Sequence, residues 1–85
     1  MSKIEKLRKQ IEEGPKHVRF EDLDRLLQAC GFEVRQSGHG SSHYFYSKGR
    51  VKLSIPRRRP HLLPIYVRLA LEAIDLAEQQ EEEAA

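Results

Sequence analysis

The sequence has very little cysteine, no tryptophan and no long hydrophobic run, and these absences exclude several classes of protein. Cys30 is the only cysteine among the 85 residues, which rules out an internal disulfide and any zinc site built from several cysteines. Its neighbours Leu26 and Leu27 are apolar, so Cys30 is better interpreted as a small core residue than as a nucleophile. No stretch approaches the roughly 18 apolar residues that cross a bilayer, and residues 1–9 lack an apolar signal core. We therefore expect a cytoplasmic protein that does not associate with membranes.

Acidic residues are missing from the middle of the chain. Residues 34–71 contain eight Lys or Arg and no Asp or Glu, whereas everything after Leu71 is acidic or neutral. The net charge of +2 therefore conceals a basic central segment followed by an acidic tail. Such segregation is typical of a surface that binds a polyanion, most commonly nucleic acid. A solvated basic face without a ligand is the alternative that the charge run leaves open.

The first half of the chain predicts two helices and a short strand. Ser2 can cap a first helix with a narrow apolar stripe, which Gly14-Pro15 ends, so this helix is expected to be an accessory to the core or a partner surface. The second helix begins at Phe20 with acidic residues in its first turn and has Gly31 at its C-terminal cap. Alternation over residues 33–36 predicts the first strand.

Residues 42–46 and 50–55 predict an antiparallel hairpin around the loop Ser47-Lys48-Gly49. In the second of these runs Val51, Leu53 and Ile55 alternate with polar residues, which is the pattern of a sheet with one buried and one solvated face. Since this strand carries Arg50 and Lys52 between its apolar residues, we expect the solvated face to be basic.

The orientation of the middle strand decides which side chains the solvated face presents. If Tyr46 packs with the apolar residues of the third strand, parity places His43 and Phe45 on the open face. An exposed Phe45 beside a histidine and basic residues is a stacking platform for an unpaired base. The reverse parity, with Phe45 in the core, is the alternative at this point.

Pro64 starts the last helix, which is predicted to end near Gln79 and to be followed by a frayed acidic tail. Residues 57–61, with proline nearby on both sides, form an exposed crossover loop. The predicted architecture is an α+β fold in the order helix, strand, strand, strand, helix, behind the extra N-terminal helix. Since the apolar alternation covers only one face of the three-stranded antiparallel sheet, both core helices should pack on that face.

A series of short motifs runs through residues 18–76 in a fixed order. The motifs are Val18-Arg19-Phe20-Glu21-Asp22-Leu23, Leu26-Leu27, Gly31-Phe32, Gly40-Ser41-Ser42-His43, Tyr46, Leu53-Ser54-Ile55-Pro56 and the helix from Tyr66. In their order and spacing they resemble the HicA family, the toxins of bacterial and archaeal type II toxin–antitoxin systems.

The resemblance implies a fold similar to the double-stranded RNA-binding domain and an mRNA interferase that cuts RNA without a metal or other cofactor. It also implies a HicB-type antitoxin as partner and a single essential histidine in a Gly-Ser-His motif, which His43 matches. Gly40-Ser41-Ser42-His43 carries one serine more than the commonest form, and Tyr44 stands where a second histidine is frequent. The domain would cover residues 16–78, between an accessory helix (1–15) and an acidic tail (79–85).

Cleavage of RNA without a metal requires a base for the 2′-hydroxyl proton, cations beside the phosphorane and a proton donor for the leaving oxygen. A neutral His43 can be the base. A structural or solvated histidine is the alternative. His39 and His61 are loop residues, either of which can supply the acid. The candidate RNA-binding residues are Arg35, Ser42, Phe45, Lys52, Arg57, Arg58 and Arg59. No histidines have metal-ligand spacing with a carboxylate nearby, so we predict no metal.

Three functions fit this sequence. The first is an endoribonuclease toxin that acts on mRNA and is held by a HicB-type antitoxin. The second is an RNA-binding module that grips duplex RNA without cutting it, although the last helix begins Pro64-Ile65-Tyr66-Val67 with only Arg68 basic in its early turns. The third is a protein-interaction domain without catalysis. A homodimer through a free outer strand is compatible with all three.

Overall fold

Three α-helices, a short 3-10 helix and three strands make up the part of the chain that the structure describes, residues 2–36, 43–58 and 60–84. In the computed structural model the elements are α1 (Lys3–Glu13), the 3-10 helix (Pro15–His17), α2 (Phe20–Ala29), β1 (Glu33–Gln36), β2 (His43–Lys48), β3 (Val51–Pro56) and α3 (Pro64–Ala84). The strands form one antiparallel sheet in the order β1-β2-β3. The predicted α+β order is therefore confirmed.

Ion pairs link the accessory helix α1 to α3. The Ser2 hydroxyl accepts a hydrogen bond from the Glu5 backbone N–H at 3.1 Å, which caps the first turn as predicted. Ile11 is buried in the common core. The Arg8 guanidinium donates to Asp75 at 2.6 Å and to Glu78 at 2.8 Å, both on α3. Since these charges are partly exposed, the apolar contact is the larger contribution to docking.

A glycine cap turns the chain from α2 into β1. Gly31 has φ +95°, a left-handed conformation that glycine adopts without a steric penalty. The Phe32 N–H donates to the Leu27 carbonyl and the Gly31 N–H donates to the Gln28 carbonyl, both at 3.0 Å, which is the Schellman arrangement. Phe32 is only 4% exposed, so the chain folds back on the core directly after the cap.

The hairpin turn is tighter than predicted. Lys48 pairs with Val51, so β2 continues through the expected loop and only Gly49 and Arg50 connect the strands. Gly49 has φ +59°, whereas no other residue type among the described residues has positive φ. A two-residue turn with glycine first suits the right-handed twist of the strands that it joins.

Both core helices pack on one face of the sheet. On the α2 side, the rings of Phe20 and Tyr44 lie 4.7 Å apart, and the Tyr46 hydroxyl donates to Asp24 at 2.7 Å. Lys48 at the end of β2 donates to the Cys30 carbonyl. α3 packs against β3. The buried core is Ile11, Val18, Phe20, Leu23, Leu26, Leu27, Phe32, Tyr46, Val51, Ile55, Leu62, Val67, Ala70, Ala73, Ile74 and Ala77.

α3 extends to Ala84, so the prediction that it ends near Gln79 is wrong, whereas the fraying of residues 79–85 stays a prediction. The residues after Gln79 are glutamine, glutamate and alanine, which all favour helix. Glu81 also forms an ion pair with Lys48 at the hairpin end. None of the described helices combines the length and the hydropathy that crossing a membrane requires.

Tyr46→Phe is expected to destabilise the protein by about 1.5 to 3 kcal/mol at neutral pH, the contribution of a hydrogen bond to a charged group. Burial, together with the hydrogen bond to Asp24, raises the pKa of the Tyr46 phenol above its ordinary 10.0. The unfolded chain therefore releases this proton at a lower pH than the folded chain, so the stabilisation is complete below pH 10 and is lost as pH rises further.

Chemical denaturation between pH 7 and 11 measures both effects. The parent should lose stability above pH 10 more steeply than the Tyr46→Phe variant. Tyr66→Phe, which removes a hydroxyl from a half-buried tyrosine on α3, is the matched control. Equal alkaline slopes in the parent and in Tyr46→Phe would contradict the assignment.

Candidate nucleic-acid interface

The face of the sheet opposite the helices is called the outer face here. Strand alternation and the register place on it Glu33 and Arg35 from β1, His43, Phe45 and Ser47 from β2, and Lys52, Ser54 and Pro56 from β3. Tyr46 on the other face is 1% exposed, whereas Phe45 is 46% exposed. The predicted parity of the middle strand is therefore confirmed.

The outer face is organised as three cross-strand rows. His43 stands opposite Pro56 in the first row, which lies at one end of the sheet. The second row is Arg35, Phe45 and Ser54, and the third is Glu33, Ser47 and Lys52. Successive rows are two residues apart, which is about 7 Å along a strand. One extended oligonucleotide can therefore contact all three rows.

His43 is the first residue of β2, and its side chain is exposed. His43 pairs with Pro56 of β3, and the pairing of β2 with β1 begins one residue later, at Tyr44. The preceding segment, with the predicted residues His39 and Ser42, lies outside the described residues. The structure thus places the imidazole on the solvated side of the sheet, and its catalytic role stays a prediction.

Phe45 lies at the centre of the sheet and forms one wall of a groove. Arg35 and Ser54 flank it on the adjacent strands. This outer groove has a volume of about 420 Å³, which is within the range of small-ligand sites. Its lining consists of Glu33, Arg35, Phe45, Tyr46, Ser47, Lys52, Leu53 and Ser54. An aromatic ring, two cations and a carboxylate therefore line one concave surface.

The predicted cations separate into two groups. Arg35 and Lys52 are exposed on the outer face. Arg57 instead lies on the helix side, 5.7 Å from the centre of the Phe20 ring and 3.3 Å from the Glu21 carboxylate. A hydrogen bond with Tyr44 raises the pKa of the Arg57 guanidinium above its ordinary value. Arg57 therefore lies apart from Arg35 and Lys52, on the helix side of the sheet, and its role in RNA binding stays a prediction.

The other predicted residues of the crossover loop are Arg58, Arg59 and His61. Arg58 is exposed beyond the end of β3, and Arg59 lies outside the described residues. The His61 ring contacts His17 edge-on, with 5.4 Å between centroids, in the layer of helices. The adjacent Leu62 N–H donates to the Val18 carbonyl at 2.8 Å, which fixes the loop there. His61 therefore lies against the helices and not on the outer face.

Glu33 is the charged groove residue that the sequence did not predict, and Ser47 and Ser54 are the uncharged outer-face residues that it did not predict. Glu33 lies immediately before the acid-free segment, residues 34–71. Strand parity was the available signal, since Glu33 and Arg35 must share a face of β1. The structure shows the Glu33 side chain exposed, and its carboxylate has no ion pair or hydrogen bond within the described part of the chain.

The remaining groups to consider as reactive or metal-binding are the Cys30 thiol and the His, Asp and Glu side chains. Burial raises the pKa of the Cys30 thiol, which disfavours the reactive thiolate. Cys30 packs against the core at the end of α2, as predicted for a small core residue. Within residues 2–36, 43–58 and 60–84, no three His, Cys, Asp or Glu side chains cluster as metal ligands would.

Comparison of the chain with protein-family models, with curated proteins and with solved structures returns no match.

Proposed function

We propose that this chain is a HicA-type toxin, an endoribonuclease that cuts single-stranded mRNA without a metal. The observation that carries the proposal is the exposed pair His43 and Phe45 on the outer face of the sheet, with Arg35 beside them. His43 is the residue that matches the histidine of the family motif. The α-β-β-β-α order with both helices on one face is also the architecture that the resemblance implies.

In the proposed reaction, His43 takes the proton from a ribose 2′-hydroxyl. The 2′-oxygen then attacks the adjacent phosphorus, the bond from phosphorus to the 5′-oxygen breaks, and the departing 5′-oxygen takes a proton from water. The products are a 2′,3′-cyclic phosphate and a 5′-hydroxyl. Arg35, one row from His43, opposes the negative charge that develops in the transition state, and Lys52, two rows from His43, holds a neighbouring phosphate.

The proposed partner is a HicB-type antitoxin, which the resemblance implies. The outer face would offer it a basic surface with one large apolar side chain, Phe45, at its centre. Aromatic residues surrounded by polar groups are common anchors of protein interfaces. Antitoxin and RNA would then compete for the same face, and the toxin would act where mRNA is, in the cytoplasm.

Incubation with single-stranded and duplex RNA of the same sequence, in EDTA, tests the proposal. The toxin should cut the single strand and leave the duplex largely intact, because the bases of a duplex are not free to stack on Phe45. Duplex RNA that is bound but intact, with an intact single strand, would favour the non-catalytic binding module instead. That module needs basic contacts at a helix N-terminus, where α3 offers only Arg68 in its early turns.

Removing the cations of the outer face should weaken RNA binding in a salt-dependent way. Each of Arg35→Gln and Lys52→Gln is expected to lower the affinity for all single-stranded sequences alike and to reduce the slope of log K against log salt by about 0.7. Arg68→Gln, on the exposed side of α3, is the control of equal charge. Filter binding or fluorescence anisotropy across a salt series gives the slopes, and equal slopes in all three variants would exclude the outer face as the binding surface.

A further inference from the structure

The carboxylate of Glu33 is an unexpected component of the outer groove. Glu33 lies in the same row as Lys52, which is on the far strand of the sheet. It is also the diagonal neighbour of Phe45 on the adjacent strand, and the Cβ atoms of such a diagonal pair lie within about 7 to 8 Å of each other. No ion pair joins Glu33 to Lys52 or to any other described residue. The groove therefore presents a hydrogen-bond acceptor of full negative charge beside an aromatic stacking surface.

A carboxylate on a phosphate-binding face weakens binding of the RNA backbone, because like charges repel at short range. The same group becomes favourable when it accepts hydrogen bonds from N–H groups of a base. Base edges differ in this respect: guanine has two neighbouring donors, N1–H and N2–H, adenine and cytosine each have an exocyclic amino group, and uracil has one N–H between two carbonyl acceptors. Carboxylate side chains are established acceptors for such donors.

We propose that the outer groove reads the identity of one unpaired base, with Glu33 as the residue that determines specificity. The base stacks on Phe45, and the Glu33 carboxylate accepts hydrogen bonds from its Watson–Crick edge. Guanine is preferred because its two donors match the two carboxylate oxygens, and uracil is disfavoured because its carbonyls face the negative charge. This inference rests on the proposed function to the extent that single-stranded RNA is the ligand.

The groove and His43, the predicted general base of the reaction, lie in different rows of the outer face. The row of Phe45 is about 7 Å from the row of His43 along β2. The base that the groove reads is therefore adjacent to the ribose and phosphate that react. Cleavage sites should share a base at one fixed position next to the cut, and that base should be guanine.

Binding of uncleavable RNA tests base reading separately from catalysis. The probes are 2′-O-methyl uridine heptamers with a single central G, A, C or U, which lack the nucleophilic 2′-hydroxyl. We expect the parent protein to bind the G probe about tenfold more tightly than the U probe, as for one bidentate contact. Glu33→Gln should abolish this preference without weakening binding of the U probe. Glu13→Gln removes the same charge from an exposed position on α1 and should leave the preference intact.

Three results would overturn the inference: no preference in the parent, a preference that Glu33→Gln leaves unchanged, or an equal loss of preference in Glu13→Gln. Cleavage assays on ordinary RNA identify which proposal fails. If RNA stays intact while the G preference depends on Glu33, catalysis is wrong and base reading is supported. If RNA is cut by the parent and by Glu33→Gln with the same sequence preference, the proposed function is supported and base reading is wrong.

Discussion

His43→Ala is expected to abolish RNA cleavage while the protein still folds. A general base contributes about 10² to 10⁴ in rate, so the variant should cut single-stranded RNA at least a hundredfold more slowly than the parent. The side chain is exposed on the outer face and lies outside the buried core. The free energy of unfolding should therefore change by no more than about 0.5 kcal/mol.

Cleavage of a labelled oligonucleotide and growth of cells that express the chain without its partner measure this effect. Expression of the parent should arrest growth, and His43→Ala should relieve the arrest. His17→Ala is the matched control, since His17 is also exposed but lies in the 3-10 helix on the other side of the sheet. A His43→Ala variant as active and as toxic as the parent would show that the reaction does not depend on this imidazole.

Phe45→Ala should weaken the binding of single-stranded RNA by about 5-fold to 150-fold, which is the effect of losing one base–aromatic stack of about 1 to 3 kcal/mol. Because stacking involves no counterion release, the salt dependence of binding should stay that of the parent. This separates Phe45→Ala from Arg35→Gln, which is expected to change the slope. Phe45→Tyr keeps the aromatic face and should bind nearly as well as the parent.

The chain contains a close control for the loss of an exposed apolar side chain. Leu63 in the crossover loop is 41% exposed, close to the 46% of Phe45. Leu63→Ala should leave the affinity for single-stranded RNA unchanged in the same titration. Equal affinities for Phe45→Ala and the parent would show that the ring does not contact RNA.

The orientation of the site could be predicted from the sequence because β3 carries an unambiguous pattern. Its apolar residues alternate without interruption, and a one-residue change of register would expose all of them. Pairing then fixes the parity of β2 and hence the positions of His43 and Phe45. Gly31 was equally informative, since a glycine after a helical stripe predicts the left-handed cap that the structure contains.

The features that the sequence did not predict depend on contacts between distant residues. Arg57 belongs by composition to a run of three arginines, yet the Glu21 carboxylate at the start of α2 holds it on the helix side. The length of α3 depends in part on Glu81, which meets Lys48 only after the hairpin has formed. Glu33 was missed because charge was counted along the chain, whereas the groove collects residues from three strands.

End-group analysis of RNA cleaved in EDTA tests the central claim most directly. A single-stranded oligoribonucleotide incubated with the parent protein should give fragments that end in a 2′,3′-cyclic phosphate and begin with a 5′-hydroxyl. The same oligonucleotide with a 2′-deoxyribose at the cleavage position should stay intact there. RNA that survives incubation, or cleavage that continues at the deoxy position, would contradict a reaction that begins at the 2′-hydroxyl and depends on His43.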